Sequence, residues 1–219
     1  MKPGAQGRRT TAALMLKAPV AGRVKTRLAA QIGAEEACLA YRSLASWQCR
    51  VVPVEWDLVV HHDPPDAGPV MRAWLGDRPV YRPQVSGDLG DRLLGALESH
   101  DFSLGALVFL GGDCPYLDAG ILRQAEACLN GGAEVVLGPA RDGGYVLLGL
   151  GAAHRGLFER IEWSTPRVLE QTCARAKAAG LSVHLLEESE DVDDAASWDR
   201  ARSSGWNGGA GSCADGARG

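Results

Sequence analysis

The sequence predicts a single α/β domain in which a mostly parallel sheet carries helices on both faces. Short apolar runs alternate along the chain with segments whose apolar residues recur every three to four positions. That alternation is typical of strand–helix–strand units, which place helices on both sides of a parallel sheet. A length of 219 residues is enough for one domain with a full core and short for two.

Six apolar segments are the predicted strands, because each is bounded by glycine, proline or polar residues. They are Ala12–Leu16, Trp56–Val60, Ala106–Leu110, Glu134–Leu137, Tyr145–Leu150 and Leu181–Leu186. Six segments with helical periodicity are the predicted helices. They are Ala34–Trp47, Val70–Leu75, Leu89–Ser99, Ala119–Asn130, Ser164–Ala179 and Ala195–Arg202, and a further helical pattern begins near Leu28. Ligands bind beyond the carboxyl ends of strands in such sheets, so the loops at that edge are the candidate site.

Composition and charge restrict the classes of function. The formal charge of −4 argues against a general nucleic-acid binder, which would be basic over much of its surface. The apolar run after Thr11 is too short for a signal segment, and no run is long enough to span a membrane. We therefore expect a cytoplasmic protein without a membrane span. Residues 1–10 and the glycine-rich residues 203–219 are expected to be disordered, which leaves 11–202 as the domain.

A basic loop follows the first predicted strand. Arg23, Lys25 and Arg27 alternate there, after Gly22 ends the strand pattern and before a helix begins. Three cations at the positive end of a helix dipole disfavour the local structure unless an anion is bound among them. A phosphate is the simplest such anion, because a strand–loop–helix junction already offers unpaired backbone N–H groups. The loop therefore predicts binding of a nucleotide or a nucleotide sugar.

Two acidic segments are candidate ligands for a divalent cation. Asp113 follows a predicted central strand and two glycines, and a carboxylate there could hold Mg²⁺ or Mn²⁺ against substrate phosphates. The alternative is that Asp113 caps the next helix, but Asp118 is closer to that helix. Near the end of the domain, Asp191 and Asp193 would project on one side of an extended segment, and Asp193 is the preferred second ligand. A solvated acidic turn is the alternative for that segment.

The remaining candidate residues would bind the substrate. The loop from Leu137 to Tyr145 contains Asp142, which could bind the acceptor or act as general base, although an ordinary hairpin also explains its two glycines. Leu89 lies where a helix start could hold a base or ribose, and a plain helix cap is the alternative. Trp163 could stack on a ring or pack in the core. The full set of substrate candidates is Arg141, Asp142, Gly143, Gly144, Tyr145, Trp163, Ser164 and Thr165.

Five motifs occur in an order that resembles a known bacterial family. They are Lys17-Ala18-Pro19-Val20-Ala21-Gly22-Arg23-Val24-Lys25-Thr26-Arg27-Leu28, Gly112-Asp113-Cys114-Pro115, Gly138-Pro139-Ala140-Arg141-Asp142-Gly143-Gly144-Tyr145, Trp163-Ser164-Thr165 and Asp191-Val192-Asp193. Together they resemble a family of small GT-A-fold glycosyltransferases, DUF2064-like, that is associated with arsenosugar or selenium gene neighbourhoods. The resemblance covers roughly residues 12–202 and extends in fold to nucleotidyltransferases of the molybdenum-cofactor type.

The resemblance implies a nucleotide-diphospho-sugar transferase fold and assigns roles to individual residues. Lys25 and Arg27 match the phosphate-binding loop, with Gly22, Arg23 and Leu89 as further candidates for binding the nucleotide and its phosphates. Asp113 matches the metal-binding aspartate, and Asp193 matches a later aspartate that completes the metal site in related nucleotidyltransferases. The catalytic candidates are Lys25 and Asp142.

The Gly112-Asp113-Cys114-Pro115 turn departs from many glycosyltransferases, because it has one carboxylate instead of Asp-x-Asp. The departure and the lysine-bearing loop favour nucleotidyl transfer. The leading prediction remains a metal-dependent glycosyltransferase with a nucleotide-diphospho-sugar donor, a small-molecule acceptor and Mg²⁺ or Mn²⁺. The alternatives are a nucleotidyltransferase, which moves a nucleoside monophosphate from a triphosphate to a phosphorylated small molecule, and a non-catalytic nucleotide-binding module. The sequence leaves the oligomeric state open.

Overall fold

The computed structural model describes residues 9–206, which form one seven-stranded sheet with helices packed against it. The strands are β1 (Thr11–Lys17), β2 (Asp57–Asp63), β3 (Val80–Pro83), β4 (Leu107–Leu110), β5 (Val135–Pro139), β6 (Tyr145–Leu150) and β7 (Val183–Leu185). The α-helices are α1 (Thr26–Ile32), α2 (Ala34–Val51), α3 (Gly68–Leu75), α4 (Leu89–Glu98), α5 (Ala119–Asn130), α6 (Val168–Ala178) and α7 (Ala195–Ser203). A 3₁₀ helix spans Arg155–Phe158.

The strand order is β3-β2-β1-β4-β6-β5-β7, and every pairing is parallel except those of β6. Strand β6 runs antiparallel to both of its neighbours, β4 and β5. The consecutive strands β5 and β6 form a hairpin. The carboxyl ends of the six parallel strands therefore lie at one edge of the sheet, together with the start of β6. This arrangement confirms the predicted α/β class and concentrates the connecting loops of β1, β4 and β5 at that edge.

The core has a layer on each face of the sheet. In β4, Phe109 packs into one apolar cluster, whereas Leu110 packs into the other. All four residues of β4 are buried, as expected of a central strand whose sheet is covered by helices on both faces. The helices pack on the sheet through their apolar faces, which include Leu93 and Leu97 of α4 and Leu122 of α5.

Predicted and observed elements differ where tertiary contacts override the local pattern. Strand β6 and helix α5 have the predicted bounds, but the edge strand β3 was not predicted because its residues are mostly exposed and lack an apolar face. Helix α6 begins at Val168 instead of at Ser164, whose φ of 62° lies in the left-handed region. None of the helices among residues 9–206 is long and apolar enough to cross a membrane.

The predicted disordered ends lie mostly outside the described residues, since residues 1–8 and 207–219 are not described. The described residues at the two borders belong to the fold. The backbone N–H of Arg9 donates to the carbonyl of Leu104 at 2.8 Å, and α7 ends at Ser203.

Candidate functional site

A cavity of about 660 Å³ opens at the carboxyl edge of the sheet. It is lined by the end of β1, the loop from β1 to α1, the start of α4, the end of β4 and the β5–β6 loop. The segments before α6 and α7, and Tyr41 of α2, also line it. The location is the one that the parallel topology predicts for a ligand site, because loops from several strands converge there.

Lys25 is the centre of the charged side of this cavity. Its Nζ lies 2.6 Å from Asp113 Oδ2 and 2.9 Å from Asp193 Oδ1, and its side chain is only 8% exposed. Lys25 is the N-cap residue of α1 and has φ 46°, a conformation uncommon outside glycine. Its carbonyl accepts the first hydrogen bond of α1, from the backbone N–H of Ala29. Burial lowers the pKa of the ammonium, but attraction to the two carboxylates outweighs that effect and raises the pKa above its ordinary value.

The other two cations of the loop are less enclosed. Arg27 Nη1 lies 3.3 Å from Asp193 Oδ2, while the side chain is 78% exposed. Arg23 lines the cavity, whereas Gly22 lies outside the lining, at the turn with φ 78° that precedes it. The alternating positions thus place Lys25 among the carboxylates, Arg27 in contact with Asp193, and Arg23 elsewhere on the exposed cavity lining.

Three aspartates come together beside the basic loop. One carboxylate oxygen from each of Asp113, Asp191 and Asp193 can be chosen so that all three lie within 4.8 Å of one another. The backbone N–H of Val192 donates to the carbonyl of Asp113 at 3.0 Å and so joins the two acidic segments. Three carboxylates at this spacing could hold a hard divalent cation such as Mg²⁺ or Mn²⁺.

Asp191 is the member of the cluster that the sequence analysis did not select. Its pKa is raised to about 6, first by burial and then by repulsion from Asp113, Asp193 and Asp142. The available signal was the alternation of Asp191 and Asp193, which does place both side chains toward the cavity. Asp191 has no salt bridge to any residue between 9 and 206.

The helix caps account for the neighbouring aspartates. Asp118 Oδ1 accepts from the backbone N–H of Ile121 at 2.9 Å and caps α5. Asp194 caps α7 in the same way through Ser197. Asp113 is therefore not required as a cap, and its side chain faces Lys25 instead.

The β5–β6 loop forms another part of the wall. The carboxylate of Asp142 lines the cavity and also accepts from the backbone N–H of Gly144 at 2.8 Å, as in a tight hairpin turn. Gly143, with φ 88°, lies against the backbone of Pro166, where a Cβ would overlap. Arg141 is not part of the cavity lining, and its Nη1 lies 3.6 Å from Glu190 Oε2. Asp142 and Gly144 thus line the cavity, whereas Arg141 and Gly143 do not.

Another part of the cavity lining, here called the apolar wall, carries the large side chains of Leu89, Tyr145 and Trp163. Trp163 stacks on Phe158 with ring centroids 6.4 Å apart and packs against the start of α4, where a Cβ on Gly90 would overlap its indole. Leu89 is 42% exposed beside it. Ser164 and Thr165 also line this wall, and burial raises the pKa of the Tyr145 hydroxyl.

Tyr41 and Met15 are lining residues that had no local signal in the sequence. The Tyr41 hydroxyl accepts from the backbone N–H of Lys17 and donates to its carbonyl, both at 2.9 Å, and so fixes the end of β1. Lys17 and Tyr41 are 24 positions apart in the chain, so only the packing of α2 on the sheet brings them together. Met15 also lines the cavity from the end of β1.

Solved structures share this fold. One is named "putative nucleotide-diphospho-sugar transferase from Desulfovibrio desulfuricans G20"; it is 29% identical, with a TM-score of 0.79 over 84% of this chain and 82% of that one. The 4-diphosphocytidyl-2C-methyl-D-erythritol synthase of Anaerococcus prevotii is 10% identical, with a TM-score of 0.59 over 90% and 96%. The glucosyl-3-phosphoglycerate synthase of Mycobacterium tuberculosis, in complex with Mn²⁺, UDP and glucosyl-3-phosphoglycerate, is 13% identical, with a TM-score of 0.51 over 85% and 72%.

These likenesses confirm the predicted nucleotide-diphospho-sugar transferase fold. No curated protein matches the chain by sequence. One family model does match, over residues 51–165, and its description is "Uncharacterized protein conserved in bacteria (DUF2064)". That match includes the Asp113 turn, the β5–β6 hairpin and the segment around Trp163. Because it spans more than half of the sequence, the chain belongs to the DUF2064 family.

Proposed function

We propose that this protein is a metal-dependent glycosyltransferase that uses a nucleotide-diphospho-sugar donor and a small-molecule acceptor. The observation that carries the proposal is the meeting of Lys25, Asp113 and Asp193 in one cavity at the carboxyl edge of the sheet. The fold shared with nucleotide-diphospho-sugar transferases supports it. We also expect the protein to act in the cytoplasm, as the sequence predicts.

The carboxylate cluster would hold the metal. Asp113 and Asp193 are the proposed ligands of Mg²⁺ or Mn²⁺, and Asp191 is close enough to be a third. The donor set fits such an ion, because it consists of carboxylate oxygens and includes a partly buried one with a raised pKa and no cationic partner among residues 9–206. When bound, the ion would neutralise negative charge on the diphosphate.

The basic loop would bind the diphosphate from the other side. Arg23 and Arg27 line the cavity and would contact outer phosphate oxygens. Lys25 would stabilise the charge that develops on the leaving phosphate, and its burial makes that interaction stronger than it would be in water. Gly22 would act through the turn that orients these side chains.

The apolar wall and the β5–β6 loop would bind the sugar, the base and the acceptor. Asp142 is the proposed acceptor ligand or general base, since its carboxylate lines the cavity. Arg141 and Gly143, which lie outside the lining, would contribute by holding the loop in place. The proposed contact residues on this side are Leu89, Gly144, Tyr145, Trp163, Ser164 and Thr165.

Nucleotidyl transfer is the second candidate. The single carboxylate in the Asp113 turn and the buried lysine favour it, and the cavity charges suit a triphosphate equally well. In that reaction, the acceptor phosphate attacks the α-phosphorus of a nucleoside triphosphate and pyrophosphate leaves. In glycosyl transfer the acceptor attacks the anomeric carbon and the nucleoside diphosphate leaves.

The leaving group distinguishes these candidates. A thermal-shift screen of nucleotides and nucleotide sugars, with and without Mn²⁺, first finds the ligand that stabilises the fold. The purified protein is then incubated with each nucleoside triphosphate plus sugar phosphates, and separately with nucleotide sugars plus acceptors. Accumulation of a nucleoside diphosphate supports glycosyl transfer, and accumulation of pyrophosphate supports nucleotidyl transfer. Selective binding without turnover in any mixture would instead support the non-catalytic module.

A further inference from the structure

We infer that Lys25 is an internal counter-ion of the metal cluster, which must leave Asp113 and Asp193 before a divalent cation binds, so that metal and phosphate bind cooperatively. The inference rests on the proposed function, because it takes these carboxylates as metal ligands. It adds a binding order that the assignment of ligands does not by itself require.

The contacts of Lys25 carry the first step. One ammonium contacts a carboxylate oxygen of both aspartates, at 2.6 Å and 2.9 Å, and the side chain is 8% exposed. A divalent ion on the same two carboxylates would lie within a few ångströms of that ammonium, where little water separates the charges. Like charges at that distance repel strongly in a partly desolvated site. The ion and the ammonium therefore compete for the same negative charge.

The charge balance carries the second step. Asp113, Asp191 and Asp193 form the cluster, and among residues 9–206 the cations in contact with it are Lys25 and Arg27. One negative charge is left over, so the cluster still attracts a divalent ion in spite of Lys25. An ion that entered would leave the ammonium partly buried and without its partners, which is costly. The free protein should therefore bind the metal weakly.

A phosphate removes that cost. Arg23, Lys25 and Arg27 lie on the same loop and line the same cavity, so a diphosphate bound there offers the ammonium a new anionic partner. Once Lys25 contacts the phosphate, both carboxylates are free for the ion. Because the coupling between two ligands is reciprocal, the metal must also strengthen phosphate binding. Both ligands therefore favour the same state, in which the Lys25 ammonium has left Asp113 and Asp193.

The test compares Mn²⁺ binding by wild type, Lys25→Met, Lys25→Arg and Lys177→Met, with and without inorganic pyrophosphate at one fixed concentration. Methionine keeps an unbranched side chain that is one atom shorter and removes its charge, whereas arginine keeps the charge. Lys177 is an exposed lysine on α6. Binding is measured by electron paramagnetic resonance of free Mn²⁺, which needs no turnover. Circular dichroism melting confirms that each variant is folded at the temperature used.

We expect Lys25→Met to bind Mn²⁺ alone at least about tenfold more tightly than wild type, because the repulsive charge is gone. Lys25→Arg and Lys177→Met should bind as weakly as wild type. Pyrophosphate should strengthen Mn²⁺ binding by wild type more than by Lys25→Met. Chelation in solution cancels from this comparison, because it is the same for every variant.

The following results would overturn the inference. If Lys25→Met binds Mn²⁺ no more tightly than wild type, or Lys25→Arg binds more tightly, Lys25 does not compete with the metal, although the metal site itself stands. If no variant binds Mn²⁺ with or without pyrophosphate, both the inference and the metal-dependent function fail. If Lys25→Met does not fold, the inference is tested with wild type and Lys25→Arg. Tight binding of Mn²⁺ alone by either protein would show that the side chain at position 25 does not compete with the metal for the carboxylates.

Discussion

The two sides of the cavity are built in opposite ways. On one side, Lys25 and the aspartates are joined by ion pairs that fix their positions before any ligand arrives. On the other side, Leu89 and Trp163 present apolar surface, and the indole is held by packing against Phe158 and Gly90. The difference suggests that the two sides contact different parts of a substrate. The charged side suits the diphosphate, which any nucleotide sugar or triphosphate contains, whereas the apolar side suits the parts that distinguish one substrate from another.

The strongest test of this difference removes the central cation. Lys25→Ala should lower turnover about 100- to 1,000-fold, the range for losing one preorganised electrostatic contact to the transition state. The substrate pair is the one identified by the leaving-group assay, and the measurement is kcat. Lys177→Ala is the matched control and should leave kcat unchanged, because that exposed lysine lies outside the cavity lining. Unchanged turnover in Lys25→Ala would remove the loop from the mechanism.

Removing one carboxylate tests the metal on the same side. Asp113→Asn keeps the shape of the side chain and should weaken Mn²⁺ binding in the presence of pyrophosphate by at least about tenfold, or about 1.4 kcal/mol. Asp118→Asn is the control in the same loop, because asparagine also caps helices well and should preserve both α5 and the metal affinity. Equal losses in the two variants would contradict a metal site at Asp113.

A third variant alters only the apolar side. Gly90→Ala places a methyl group against the indole of Trp163, which must then shift. Overpacking of this kind should lower the free energy of unfolding by about 1–3 kcal/mol, as measured in urea. Mn²⁺ binding should stay at the wild-type level, while binding of the nucleotide or nucleotide sugar weakens. Gly156→Ala is the control, since a Cβ there meets nothing within 4 Å. A loss of Mn²⁺ binding in Gly90→Ala would mean that the two sides are not independent.

The smallest expected effect is a gain in stability at the cluster. The pKa of Asp191 is raised to about 6 from its ordinary 3.8, so its ionised form disfavours the folded state above pH 6. That cost fades as the pH falls from 6 toward 4, where the folded state binds the proton. Asp191→Asn should therefore stabilise the metal-free protein by about 1 kcal/mol at pH 8, a figure reduced for partial solvation, and by less at pH 5.

Asp199→Asn, at an exposed position on α7, is the control for the pH comparison and should change stability little at either pH. A stability gain of Asp191→Asn that is equal at pH 5 and pH 8 would contradict the electrostatic explanation. Mn²⁺ added together with pyrophosphate should reverse the gain, because the wild-type protein keeps a carboxylate that the ion can use.

Several features of the site were predictable because they have local causes. The burial of β4 follows from its continuous apolar run, and the turn after it follows from two glycines and a proline. The caps by Asp118 and Asp194 follow from their positions just before helices, and this frees Asp113 for another role. The basic loop was recognisable because its charges oppose the helix dipole.

Other features were not predictable, because they depend on distant contacts. Strand β3 owes its pairing to β2 and has no pattern of its own. The hydrogen bond between Tyr41 and the end of β1 joins segments far apart in the chain, and so does the packing of Trp163 against Gly90. The inclusion of Asp191 in the cluster depends on how the segment before α7 lies against the Asp113 turn.

By itself, the amino-acid sequence determined the α/β class and the order of most elements. It also determined that the loop after β1 is basic and that the turn after β4 carries a carboxylate. These features have local causes, because propensity, periodicity and capping act over a few residues. Only the tertiary structure decided that the Lys25 ammonium lies between Asp113 and Asp193, which are 88 and 168 positions away along the chain. The physical reason is the parallel sheet. It brings the ends of distant strands to one edge, where the side chains that follow them share a single partly desolvated volume.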